Sequence, residues 1–164
     1  MDGILVLDKP AGWTSHDVVA RVRRLTQEQR AGHAGTLDPM ATGVLVMCLG
    51  QATRVIEYMA SHAKAYRAVI RLGIETDTYD AEGQVVASRP VEVSEAALRA
   101  SLATFAGDIH QVPPMFSALK RDGRKLYDLA RRGIQVERQA RPVTIYSLDL
   151  VDFDPPSATI DVRC

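Results

Sequence analysis

Apolar and polar residues alternate along the chain in patterns that predict short strands separated by amphipathic helices. Residues 3–7 are apolar enough for a short buried strand. Thr14 or Ser15 is a natural N-cap for a helix that continues to about Leu25 and carries an apolar face. Residues 43–49 are apolar on both faces, which predicts a central rather than an edge strand.

The second half of the pattern is richer in strands. Residues 64–72 alternate with a period of two, the signature of a half-buried strand, and residues 80–83 close a hairpin. The remaining predicted elements are a helix over residues 52–59, a helix capped by Ser94 and ending near Gly107, and strands over 143–153 and 158–164. These elements predict an α+β fold with a mixed, largely antiparallel sheet flanked by helices.

Residues 32–43, GHAGTLDPMATG, form the most informative stretch between these elements. Proline restricts the backbone at Asp38 to extended angles, and glycines permit turns that other residues resist. Such a loop presents one carboxylate, Asp38, in a defined direction. An aspartate before proline is by itself more often a turn former, so the loop alone leaves both interpretations open.

Composition and charge limit the classes of function. The chain has 164 residues, 46% of them apolar, as in a single soluble domain. Twenty basic and twenty acidic residues cancel, yet residues 120–141 carry an excess of five positive charges. A neutral protein with such segregation can still bind a polyanion.

Other classes are not indicated by the sequence. It has neither a signal-peptide core nor an apolar run of the roughly 20 residues that a membrane helix needs, which predicts a cytoplasmic protein without membrane contact. Cys48 lies in an apolar run and Cys164 is the last residue, so we expect no structural disulfide. The four histidines lack metal-ligand spacing, and we expect no metal.

Three segments together resemble a known family. They are KPAGWTS at residues 9–15, GHAGTLDPMATG at 32–43 and PPMFSALKRDGRKLYDLARRG at 113–133. This combination resembles the bacterial tRNA pseudouridine synthases of the TruB family. The resemblance implies a pseudouridine synthase catalytic core that isomerises uridine to pseudouridine at position 55 in the T loop of tRNA. It implies the tRNA T arm as partner, no cofactor and no obligatory protein partner.

The resemblance also assigns roles to single residues. Asp38 matches the catalytic aspartate, and Tyr66 matches a tyrosine that stacks on the target base, although a core tyrosine is the ordinary explanation. His33 would fill the space of the flipped base or stack on neighbouring nucleotides, against a plain hydrogen-bonded loop histidine. Asp80 resembles an aspartate that holds an active-site arginine, against a simple turn acid, and Lys9 resembles a residue that supports the catalytic loop.

Residues 111–142 are similar to the family's thumb, a flap that orders against RNA. We expect its cationic side chains to contact phosphates. These candidates are Lys120, Arg124, Lys125, Arg131, Arg132 and Arg141.

Asp38 has three possible chemical roles that the sequence does not separate. It can attack the ribose C1′, attack the base at C6 or remove the ribose C2′ proton. Each route needs an ionised carboxylate, which is the normal state of aspartate at neutral pH.

The sequence departs from the family at its end. Family members continue into a segment whose arginine pairs with the catalytic aspartate, and then into a PUA-type domain. We therefore expect residues 1–164 to be a partial catalytic domain that is poorly active alone. Two other functions stay open at this point: a non-catalytic tRNA-binding or tRNA-folding module, and a guide-RNA-dependent pseudouridine synthase.

Overall fold

The computed structural model describes residues 1–59, 62–117, 119–121, 123–130 and 132–164. These residues form two compact units, Met1–His62 and Ala63–Cys164. Each unit has its own hydrophobic cluster and is described by itself.

The first unit is a three-stranded antiparallel sheet with one long helix. Its elements are β1 (Gly3–Lys9), α1 (Ser15–Thr26), β2 (Ala31–His33), β3 (Gly43–Leu49), a 3-10 helix (Gly50–Val55) and α2 (Ile56–Met59). The strand order is β1-β3-β2, which confirms β3 as the central strand. The residues of β3 on the α1 side, Leu45, Met47 and Leu49, pack with the apolar face of α1.

Helix α1 begins as its sequence predicts. Thr14 is the N-cap, and its hydroxyl accepts a hydrogen bond from the backbone N–H of Asp17. The Asp17 carboxylate accepts in return from the N–H of Thr14, which completes a capping box. Val18, Val19 and Val22 then form the buried face of the helix.

The second unit combines a three-stranded sheet with three two-stranded sheets. Its elements are β4 (Ala65–Arg71), β5 (Ile74–Thr76), β6 (Val85–Ser88), α3 (Glu95–Ala103), β7 (Gly107–Gln111), β8 (Lys120–Arg121), β9 (Arg124–Lys125), α4 (Leu126–Ala130), β10 (Arg141–Ile145), β11 (Ser147–Asp154) and β12 (Ser157–Arg163). The strand orders are β11-β12-β4, β10-β7, β5-β6 and β8-β9. All of these pairs are antiparallel.

The core of the second unit lies between α3 and the β11-β12-β4 sheet. Leu98 and Leu102 of α3 cluster with Leu150, Ala158 and Ile160 of the sheet. Strand β4 alternates as predicted: Ala68 and Ile70 pack on this cluster, and Val69 points away and is exposed. The α+β, largely antiparallel architecture is thus confirmed.

Several predicted elements were wrong in detail. Residues 52–59 do not form one helix, because a 3-10 helix ends at Val55 and α2 begins at Ile56. Residues 143–153 do not form one strand, because Tyr146 separates β10 from β11. The helix capped by Ser94 ends at Ala103 and not near Gly107.

Among the described residues, no helix is both long and apolar enough to cross a bilayer.

Candidate functional site

Asp38 lies in the loop that connects β2 to β3 and is exposed. The loop is shorter than predicted, because Gly32 and His33 belong to β2 and pair with β3. A turn begins at Asp38, whose carbonyl accepts from the N–H of Ala41 at 3.1 Å. Leu37, the preceding residue, packs its side chain against the core of the first unit. Asp38 is therefore at the surface, and the packing of Leu37 on the core holds the backbone next to it.

Lys9, the last residue of β1, is completely buried. Its Nζ donates to the carbonyl oxygens of Pro10 at 3.0 Å, Trp13 at 2.6 Å and Pro39 at 3.2 Å. A buried ammonium needs polar partners of this kind to offset the loss of water. Lys9 thus joins the 10–13 turn to the residue that follows Asp38.

The 10–13 turn makes a second bond to the same place. The N–H of Gly12 donates to the carbonyl of Pro39 at 2.8 Å. Gly12 has φ of +80°, a backbone conformation that favours glycine, so the direction of this N–H depends on that residue. The Pro39 carbonyl is consequently held by both a side chain and a backbone donor.

Ser15, the first residue of α1, contacts Leu37, the residue that precedes Asp38. Its hydroxyl accepts from the N–H of Leu37 at 2.9 Å and donates to the Leu37 carbonyl at 3.1 Å. The serine is only 2% exposed. Sequence reasoning considered Ser15 only as a helix cap, since no local pattern reveals a contact across 22 residues.

His33 is the last residue of β2 and pairs with Met47 of β3. Its Nδ1 is buried and has no hydrogen-bond partner within the part of the chain that the structure describes. A plain hydrogen-bonded loop histidine does not account for that nitrogen. Its predicted contact with RNA stays a prediction.

Tyr66 lies near the start of β4 in the second unit and is 41% exposed. It shares a strand face with Ala68 and Ile70, which pack on the core, but the tyrosine itself is not a core residue. The ordinary explanation by burial is therefore wrong.

Asp80 lies in the connection between β5 and β6. Its Oδ1 accepts from the hydroxyl of Thr78 at 2.6 Å and from the N–H of Glu82 at 3.0 Å. These bonds are those of a turn-forming aspartate. The predicted role beside an arginine stays a prediction.

The thumb, residues 111–142, is inserted between two paired strands. Its first residue, Gln111 of β7, is the register partner of its second-last residue, Arg141 of β10. Leu126 and Leu129 of α4 are buried. The predicted RNA contacts at Arg124, Arg132 and Arg141 are all exposed.

The other predicted thumb contacts are not placed. Arg131, and the side chains of Lys120 and Lys125, lie outside the described residues. Arg141 also reaches Gln111 Oε1 at 3.5 Å.

An ion pair on the β11-β12-β4 sheet was missed by the sequence interpretation. Arg67 of β4 and Asp161 of β12 are register partners joined by two hydrogen bonds of 2.7 Å. The hydrogen bond from Arg67 lowers the pKa of Asp161. The pair is exposed, which limits its contribution to stability.

The next question is whether any side chains could hold a metal ion. In the described ranges, no group of three or more His, Cys, Asp or Glu side chains is placed to hold a metal ion. The expectation of a metal-free protein stays a prediction.

Comparison with known families gives one match that covers most of the chain. The family described as TruB family pseudouridylate synthase (N terminal domain) matches residues 23–164. Over all 164 residues the sequence is 54% identical to tRNA pseudouridine synthase B of Aromatoleum aromaticum and covers 53% of that protein. The corresponding values are 51% and 57% for the Clostridium kluyveri protein of the same name, and 53% and 54% for that of Pseudomonas aeruginosa. The chain spans about half the length of these curated relatives.

Solved structures with a similar fold come from larger assemblies. A chain of a Cbf5-Nop10-Gar1 complex matches with a TM-score of 0.72 and 28% identity, over 98% of this chain and 39% of that one. A chain of an H/ACA RNP bound to a substrate RNA containing 2′-deoxyuridine matches with a TM-score of 0.69 and 25% identity, over 98% and 37%.

Proposed function

Because the chain belongs to the TruB family of pseudouridylate synthases, we propose that the protein carrying it isomerises uridine to pseudouridine at position 55 in the T loop of tRNA. The observation that carries this proposal is the exposed Asp38 carboxylate on a loop fixed at both neighbouring residues. A bacterial enzyme of this kind works on tRNA in the cytoplasm and needs no cofactor or metal.

Asp38 is the proposed catalytic carboxylate. The reaction breaks the N-glycosidic bond of uridine and rejoins the same base through carbon, so atoms are neither added nor lost. Asp38 can attack the ribose, attack the base or remove a proton. In each case its carboxylate oxygen must lie within reach of one reacting atom of the substrate. Anchoring at Leu37 and Pro39 supports this role, because fixed geometry lowers the entropic part of a reaction barrier.

Capture of the target base is the second requirement. A uridine inside a folded T loop must be extruded, at a cost of a few kcal/mol. Stacking on an aromatic ring returns about 1 to 3 kcal/mol per base. We assign this stacking to Tyr66, whose ring is exposed. His33 is the proposed contact to the vacated space or to a neighbouring nucleotide, and Asp80 the proposed partner of an active-site arginine.

The decisive experiment uses unmodified tRNA and a T-arm stem-loop, without any added guide RNA. The protein is assayed both as residues 1–164 and within the full-length protein, because relatives are about twice as long. We expect the full-length protein to form pseudouridine at position 55, and the Asp38→Asn variant to bind RNA but form none. Asp152→Asn, a change at an exposed aspartate of β11, is the matched control and should retain activity.

Two results would support the alternative functions. If Asp38→Asn left the biological effect of the protein intact, a tRNA-binding or tRNA-folding module would be favoured. If product appeared only after a guide RNA was added, the guide-dependent class would be favoured. The identity shared with the curated tRNA pseudouridine synthases over the whole chain supports the stand-alone enzyme.

A further inference from the structure

The Ser15 side chain makes an unusual double contact with the loop that carries Asp38. One buried hydroxyl accepts from the Leu37 N–H and donates to the Leu37 carbonyl. A strand residue would find both partners on a neighbouring backbone. Here a single side-chain oxygen, which is both donor and acceptor, replaces that neighbour.

This contact bears directly on the direction of Asp38. The Leu37 carbonyl belongs to the peptide group that ends at the nitrogen of Asp38, and a peptide group is planar. Fixing the carbonyl therefore fixes the plane from which the Asp38 backbone departs. On the other side, Pro39 is held by Lys9 and Gly12. Asp38 stands between these two fixed points.

We propose that Ser15 is a positioning residue for Asp38, acting through the Leu37 peptide. This inference rests on the proposed function of Asp38, since only a reacting carboxylate requires such control. Loss of the hydroxyl would leave the Leu37 N–H and carbonyl without their buried partner. The loop would then sample other directions, and a small misplacement of a reacting group can slow a reaction about 100-fold.

The adjacent residue offers a matched control. Thr14 also carries a hydroxyl, but it caps α1 through Asp17 and is exposed. Thr14→Ala removes the N-cap hydroxyl and leaves the hydroxyl of Ser15 in place. Ser15→Ala removes the hydroxyl that contacts Leu37 and leaves the N-cap in place, and Ser15→Thr keeps a hydroxyl at that position.

The first measurement is amide hydrogen exchange, residue by residue, on the 164-residue chain. In Ser15→Ala we expect the Leu37 N–H to exchange at least about tenfold faster, while the amides of β3 keep their protection. Thr14→Ala should leave Leu37 unchanged, and Ser15→Thr should restore it. Unchanged exchange at Leu37 in Ser15→Ala would overturn the proposal. The β3 amides also reveal whether a variant has simply unfolded.

The second measurement is pseudouridine formation in the full-length protein. We expect Ser15→Ala to lower kcat by about 10- to 100-fold with little change in KM, because binding of RNA does not involve this buried hydroxyl. Equal kcat in Ser15→Ala and Thr14→Ala would overturn the positioning role. If the unaltered protein formed no pseudouridine, the proposed function would fail, and hydrogen exchange would alone decide whether Ser15 holds the loop.

Discussion

The buried ammonium of Lys9 shows how one side chain can determine the shape of a site. Its three carbonyl partners belong to Pro10, Trp13 and Pro39, two residues of a turn and one residue of the Asp38 loop. The side chain therefore supports two loops at once.

Replacing Lys9 by methionine keeps the length of the side chain and removes its donors. We expect the free energy of unfolding to fall by about 2–4 kcal/mol, because three carbonyl groups lose the donor that Lys9 supplies from its buried position. Arg54→Met, at an exposed position of the same unit, should change it by less than about 0.5 kcal/mol. Urea denaturation of both variants measures the difference. Equal midpoints would show that Lys9 has no supporting role.

At this scale the sequence was informative where a residue belongs to a distinctive string. Asp38 could be singled out because its loop and residues 9–15 together resemble the motifs of a known family. Ser15 could not, because its partner lies 22 residues away and the same serine is an ordinary helix cap. For Tyr66 the alternation of the strand left a core residue as the ordinary alternative, and its exposure of 41% does not fit that alternative.

At the scale of the elements, the first turn of helix α1 contains a titratable residue, Asp17. The hydrogen bonds from the side chain and the backbone N–H of Thr14 lower the pKa of Asp17. The folded chain therefore binds a proton at Asp17 less readily than the unfolded chain. By linkage, the stabilisation is complete above 3.8, the usual value for this group, and is lost as the pH falls through the lowered value.

This effect predicts a pH-dependent difference between variants. Asp17→Ala should unfold at lower urea concentration than the unaltered chain at pH 7, and the gap should close as the pH falls below 3.8. Thr14→Ala removes the other half of the capping box, so adding Asp17→Ala to it should have a much smaller effect. A gap that persists unchanged at low pH would contradict the assignment.

Elements with one dominant signal were predictable. A capping residue and a clear apolar face gave α1, and an apolar run gave β3. The single helix predicted over residues 52–59 is instead a 3-10 helix, Gly50–Val55, followed by the short α2. The break at Tyr146 lacks glycine or proline, so nothing local separates β10 from β11.

For the whole molecule, the segregation of charge matters more than its sum. The chain has no net charge, yet three arginines of the thumb are exposed to solvent: Arg124, Arg132 and Arg141. Phosphate contacts by such side chains release counterions, so RNA binding should weaken steeply with salt. A neutral isoelectric point therefore does not argue against a polyanionic partner.

Single alanine variants of these three arginines test that expectation. Each lost phosphate contact should reduce the slope of log affinity against log salt by about 0.7 to 0.9, without changing preference among RNA sequences. Arg99→Ala is the control, because this side chain is already paired with Glu95 within α3. Slopes identical in all four variants would exclude these arginines as phosphate contacts.

The antiparallel pairing of Gln111 with Arg141 has a consequence for how this chain can change. Since the two ends of the intervening segment already meet, the hairpin formed by β7 and β10 closes whatever is spliced between them. Closure entropy rises only slowly with the number of residues in such an insertion. The segment can therefore be lengthened, shortened or exchanged with little effect on the stability of the β7–β10 pair. Such a change would alter what the molecule binds.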